Sequence, residues 1–152
     1  MTDYATPREI QLWAAQIMLD RDPDQIIGPE DNPYLLRWFV TPRSPFGNVY
    51  LHKILRSDDD RALHDHPWEN RSLVIAGGYW EHVSPITKFW RGPGSSISRG
   101  ADAAHRLELP TYRLRPVPCV SLFFTGPKTR EWGFHCEGGW RHWEEFDVQG
   151  CE

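Results

Sequence analysis

Apolar residues recur at helical spacing once in this chain, near its start. Ile10, Trp13, Ala14 and Ile17 fall at intervals of three and four, and Met18 extends the stripe. Thr6-Pro7-Arg8-Glu9 stands before it as a capping box with proline at the first helical position. Asp20-Arg21-Asp22-Pro23 closes it. The spacing predicts a helix over 6–20 that packs outside a sheet and carries no chemistry. Beyond it the pattern changes. Short apolar or alternating runs occupy 34–40, 49–56, 72–76, 79–83, 87–91, 105–109, 120–125, 130–136 and 140–146. Gly- and Pro-rich turns separate them, with Gly77-Gly78 and Gly138-Gly139 as hairpin candidates. Many short strands at close spacing predict an all-β sandwich or barrel. The division is a helix and linker over 1–30 and a barrel over 31–150.

Composition narrows the function classes. The 152 residues carry a net charge of -4, and the 17 basic residues are scattered, so no nucleic-acid partner is expected. No run of 18 apolar residues exists and no membrane partner is expected. The N-terminal residues lack a basic region followed by an apolar one, which predicts a cytoplasmic protein. Three cysteines without paired spacing, Cys119, Cys136 and Cys151, predict free thiols. Eight Trp is high for this length and suits a barrel core and a homodimer interface.

The chemistry concentrates at His64-Asp65-His66. Alternate residues of an extended strand point to one side, so both imidazoles can reach one metal ion, while Asp65 points the other way, toward solvent. His105, about forty residues later, shares the parity of Leu107 and Leu109 and faces the interior. Pro67 marks a bulge or turn. Such a bulge is needed to give Glu69 the parity of the histidines. His52 alternates with Tyr50 and Ile54 and can face inward beside the site. His135 and Cys136 are neighbours on a strand, with opposite faces, and make a poor ligand pair. Asp58-Asp59-Asp60 reads as a solvated acidic turn, because no calcium-type loop with a closing glutamate follows.

These residues resemble the cupin superfamily of small β-barrels. Its first motif is a glycine, five residues, His-x-His, three or four residues, a glutamate, six residues and a glycine. His64 and His66 match it, and Gly77 or Gly78 falls on the closing glycine. The second motif is a glycine, five residues, Pro-x-Gly, two residues, a histidine, three residues and an asparagine. His105 matches its histidine and Gly94 its opening glycine. Asp58 replaces the first glycine, Asn70 or Arg71 the glutamate, Gly100 the proline, Asp102 the second glycine and Leu109 the asparagine. The likeness spans about residues 47–125.

The resemblance implies a double-stranded β-helix, or jelly-roll barrel, holding a divalent transition metal on His64, His66 and His105. Fe(II) is favoured, with Zn, Ni or Mn as alternatives. Three-histidine centres occur in this superfamily in thiol dioxygenases and a diketone-cleaving dioxygenase. The leading expectation is therefore a metal-dependent, oxygenase-like enzyme acting on a small, anionic organic molecule. Glu69 is the candidate fourth ligand, and His52, Arg71 and Arg106 are candidates for orienting the substrate. Two alternatives stand beside it: a non-catalytic small-molecule or sugar-binding protein, and a metal-free sugar epimerase or isomerase.

Overall fold

The computed structural model describes residues 4–58 and 62–152. Its elements are α1 (Pro7–Asp20), β1 (Gln25–Ile27), β2 (Leu35–Phe39), β3 (Asn48–Ile54), β4 (Leu63–His64), β5 (Asn70–Ala76), β6 (Tyr79–Ser84) and β7 (Thr87–Arg91). After these come β8 (Ser96–Arg99), β9 (Arg106–Glu108), β10 (Thr111–Tyr112), β11 (Arg115–Pro116), β12 (Cys119–Thr125), β13 (Gly133–Cys136), β14 (Gly139–His142) and α2 (Trp143–Gln149). The largest sheet is antiparallel with strand order β1-β2-β3-β12-β5-β8. Two three-stranded sheets, β7-β6-β9 and β14-β13-β4, make up the rest of the barrel wall. β1 lies in the stretch expected to be linker, where Gln25 pairs with Arg37 and Ile27 with Leu35.

The six-stranded sheet is apolar on both faces. Leu35, Ile54, Val74 and Cys119 join Tyr79, Leu107 and Leu109 in one cluster inside the barrel. Trp38, Leu51, Ile75 and Val120 form a second cluster with Ala14 of α1 on the outer face. This double burial explains why β5 and β12 read as continuous apolar runs rather than alternating ones. α1 starts on the expected capping box: Glu9 N–H donates to Thr6 Oγ1 at 3.3 Å and Thr6 N–H to Glu9 Oε2 at 2.7 Å. Ile10, Ile17 and Met18 pack on the sheet beside Ala14, while Trp13 is 39% exposed.

Several expectations are corrected. Gly77-Gly78 is no hairpin, because β5 pairs with β12 and β8 while β6 pairs with β7 and β9. It is the corner at which the chain changes sheet. A Cβ on Gly77, at φ +74°, would sit 2.3 Å from Pro118 O. The run 140–146 is split into β14 and α2. His142 caps α2, Glu144 and Glu145 occupy its first turn, and Gly150 ends it at φ +64°. Phe146 is buried against Phe134, with ring centroids 3.7 Å apart. Cys136 and Cys151 form a disulfide, which leaves Cys119 as the free, buried thiol. The sequence holds no pairing signal for these cysteines, since α2 brings Cys151 back to β13. Burial pushes the Cys119 thiol up to about 12.

Asp65 points away from the two histidines, as alternation requires, but it is fully buried rather than solvated. Its carboxylate accepts from Gly133 N–H at 2.8 Å and Trp140 Nε1 at 2.9 Å, and it meets Arg130 at 2.7 Å and His135 Nε2 at 2.9 Å. Burial alone would raise its pKa, and these partners outweigh burial and hold it below the ordinary carboxylate value. One side chain thus fastens β4 to the β13–β14 hairpin. Asp65→Ala is expected to cost about 3 kcal/mol in urea unfolding, the low end for breaking a buried pair, because Arg130 can turn to water. A loss under about 1 kcal/mol, the scale of a surface pair, would show that the clamp is dispensable.

Candidate metal centre

His64 and His105 face each other across two strands. Each donates its backbone N–H to the other's carbonyl at 2.9 Å, the doubly hydrogen-bonded antiparallel pair that places both side chains on one face. His66, two residues on, returns to that face, held by its own N–H donating to Ala101 O at 3.0 Å. The three rings form a triangle with centroids 4.9, 5.0 and 5.2 Å apart. One nitrogen from each lies within 4.8 Å of the others.

The protonation pattern suits coordination. Glu81, 1% exposed on β6, places Oε1 2.8 Å from His105 Nδ1. Glu81 is held ionised: burial works to raise its pKa, but His105, Arg99 and Arg91 bring it down to about 2. An ionised carboxylate only accepts, so His105 Nδ1 carries a proton and Nε2 is the nitrogen that a metal would use. His64 Nδ1 faces Asp58 Oδ2 at 3.7 Å. Burial lowers the His64 pKa to about 4, against the opposing pull of Asp58. Burial also holds His66 well below its ordinary value. His66 Nδ1 is buried and has no hydrogen-bond partner among the described residues. A divalent ion needs neutral imidazoles with free lone pairs, and coordination through Nδ1 would satisfy that orphan. The residues therefore fit a three-histidine metal site.

The triad lines a cavity of about 310 Å³ inside the barrel. Trp68 stacks on His66 and packs against Phe123, while Trp132 and Phe134 meet His64 edge-on. His52 does face this cavity, stacked between Tyr50 and Phe123. The other expected helpers lie elsewhere. Glu69 is exposed and borders an outer groove with Arg71 and Gly126, so the bulge does not turn it toward the histidines. Arg71 is exposed on β5 and donates to Ser96 Oγ at 3.1 Å. Arg106 alternates away from cavity-lining Leu107 and lies 3.3 Å from His82. Asp58 is not a solvated turn residue: it accepts from Leu107 N–H at 2.7 Å and from the Tyr34 hydroxyl. Asp59 and Asp60 lie outside the described residues. His135 and Cys136 are committed to Asp65 and to the disulfide.

Two site residues were missed. Glu81 shares the inward parity of Tyr79 on β6, a signal present in the run 79–83. Arg37 lines the cavity from β2, opposite His52 on β3. Its position within an apolar run was the available cue.

No family model matches the sequence, and no curated protein matches it significantly. The structure is similar to an uncharacterised conserved protein with a double-stranded beta-helix domain from Klebsiella pneumoniae, at 16% identity and a TM-score of 0.51, covering 73% of this chain and 91% of that one. It is similar to a cupin-2 domain from Rhodospirillum rubrum, at 11% identity and a TM-score of 0.57, covering 76% of each chain. It is also similar to the DMSP lyase DddQ from Ruegeria pomeroyi, at 15% identity and a TM-score of 0.55, covering 83% of this chain and 66% of that one. The fold is the double-stranded β-helix of the cupins.

The buried histidines give the apoprotein a defined pH response. The unfolded chain protonates them near pH 6.5, whereas folded His64 accepts a proton only near pH 4, and His66 and His52 are depressed too. The unfolded state binds more protons in that window. Stability is thus expected to fall as pH drops from about 6.5 toward 4, by up to about 1.4 kcal/mol per histidine per unit. Urea midpoints of chelator-treated protein measure this, and a flat profile would contradict neutral, buried imidazoles.

Proposed function

We propose that this protein is a metal-dependent, oxygenase-like enzyme acting on a small anionic organic molecule held in the barrel. The observation that carries the reading is the triangle of imidazoles, His105 buried and His64 and His66 partly so, lining a mainly apolar cavity. The chemistry supplied by a bound ion, Fe(II) in first preference and Zn, Ni or Mn otherwise, would be Lewis acidity and, for iron, oxygen activation. Glu81 holds the His105 tautomer and ring orientation through Nδ1. Trp68, Phe123 and Trp132 exclude water around the triad. Neutral ligands leave the ion's charge uncompensated, which favours an anionic substrate.

A metal-free acid–base cupin is the second reading, favoured by the buried Glu81–His105 pair, which resembles an oriented general base. The unpartnered nitrogen on His66 has no role in it. The exposed Phe89 and Trp90 on edge strand β7 support a homodimer.

Elemental analysis of protein purified without a polyhistidine tag is expected to give about one ion per chain, the single site that three histidines make. His64→Ala should abolish binding, and Glu81→Gln should weaken it roughly 10- to 100-fold. Occupancy far below one, unchanged by His64→Ala, overturns the metal reading. Iron-loaded protein is then expected to consume oxygen with one of a panel of small keto acids, diketones and thiols. Ligand binding without uptake would instead indicate a binding protein or a non-oxidative reaction, such as the lyase chemistry named for DddQ on this fold.

A further inference from the structure

The cavity has a second polar feature besides the histidine triad: Arg37 is one of its lining residues. Arg37 and Asp65 are the formally charged side chains among the residues that line it. Asp65 spends its carboxylate outward on Arg130, His135, Trp140 and Gly133. Arg37 has no such counter-charge. Its Nε donates to His52 Nε2 at 2.9 Å, its Nη1 donates to Gln25 Oε1 at 3.1 Å, and its Cζ lies 4.5 Å from the centre of the Tyr50 ring. Among the described residues no carboxylate lies within ion-pair distance of it, and Arg43 acts on it as a like charge.

The three contacts hold the guanidinium rather than neutralise it. His52 must be neutral to accept at Nε2, and burial together with Arg37 keeps its pKa well below the ordinary value. Gln25 offers an amide oxygen and Tyr50 a ring face. A half-buried cation without an anion is costly, and the cost is recovered when an anion arrives. Arginine presents a planar fork that matches a carboxylate in two parallel hydrogen bonds. The remaining walls are mainly apolar, with Ile27, Leu35, Ile54, Leu107 and Trp132 beside the hydroxyls of Ser72 and Ser121. The volume of about 310 Å³ is at the small end for ligand pockets.

We propose that Arg37 is the anion-binding subsite of this cavity, with His52 as its positioning residue, and that the cavity takes a small monocarboxylate with an apolar body. This deepens the function proposed above and rests on its reading of the cavity as the ligand site. The position of Arg37 on β2, in the sheet that also carries Gln25 and His52, fixes the anionic end of the ligand independently of the histidine triad.

The test compares phenylacetate with phenylacetamide, and hexanoate with hexanamide, by calorimetry on chelated and metal-loaded protein. Each pair differs in charge but hardly in shape. The chelated protein is expected to bind the acids at least about tenfold more tightly than the amides, the scale of one charge-assisted hydrogen-bond pair. Arg37→Met should erase that preference and leave metal content unchanged, and Arg37→Lys should restore only part of it, because the fork is lost. His52→Ala should weaken acids more than amides. The proposal is overturned if wild-type protein binds neither acid, binds acid and amide alike, or keeps the preference in Arg37→Met. A preference seen only with metal bound also overturns it, because the ion would then be the anion's partner. The wild-type comparison stands even if a variant does not fold. Failure of the metal reading registers separately, as missing metal, while the chelated arm still reports on Arg37.

Discussion

His64 and His105 exchange both backbone hydrogen bonds, and that one register decides where the chemistry of this barrel can lie. A slip of one residue would turn His105 outward and bring Arg106 in. The register is secured on both sides. Asp58 accepts from the Leu107 amide just after His105, and Asp65 fixes the strand carrying His64 to the β13–β14 hairpin. The acid between the histidines therefore has a structural task that is separate from any role of the histidines as ligands. The alternation of an extended strand lets three consecutive residues serve two sides of the wall.

The polar interior divides into regions of different charge. Around Glu81, Arg91 and Arg99 a carboxylate and two guanidiniums satisfy each other, with Arg99 also donating to Ser72 and Asn70. Beside it, burial disfavours the imidazolium at His64 and His66. Glu81 belongs to both regions and links them through His105. A carboxylate already shared between two arginines is a modest acceptor for the imidazole proton. It can orient the ring without drawing the proton fully across.

Much of this was legible in the sequence, for local reasons. The helix announced itself through Thr6 and Glu9, whose reciprocal contacts span only three residues. The triad was legible because His-x-His needs nothing beyond strand geometry, and because His105 shares parity with Leu107 and Leu109. What escaped depends on partners far along the chain. Asp65 is buried by groups up to 75 residues away, and no local rule distinguishes it from a solvated acid. Arg37 was hidden because β2 is covered on both faces, so its inward residues are not marked by alternation. Glu69 fails for the opposite reason: its inward parity depends on a bulge after Pro67, and the segment between Pro67 and β5 leaves it exposed. Aromatic residues dominate 140–146 and favour a strand there, while Glu144, Glu145 and Gly150 carry the signals of the helix that forms, α2.

The position of β12 has a consequence for how the site comes into being. β12 lies between β3 and β5, pairing Ser121 with His52 and with Val74, so the sheet is complete only when a late segment enters between two earlier ones. Such closure over long stretches of chain is entropically expensive and slows folding. Without β12 in place, His66 lacks Phe123 as a neighbour and the cavity lacks the Ser121 and Phe123 that line it. The three imidazoles can then be present in a collapsed chain without forming an enclosed site. Tight capture of an ion, if the triad holds one, would thus be a property of the finished barrel, and its onset during refolding would mark the seating of the last central strand.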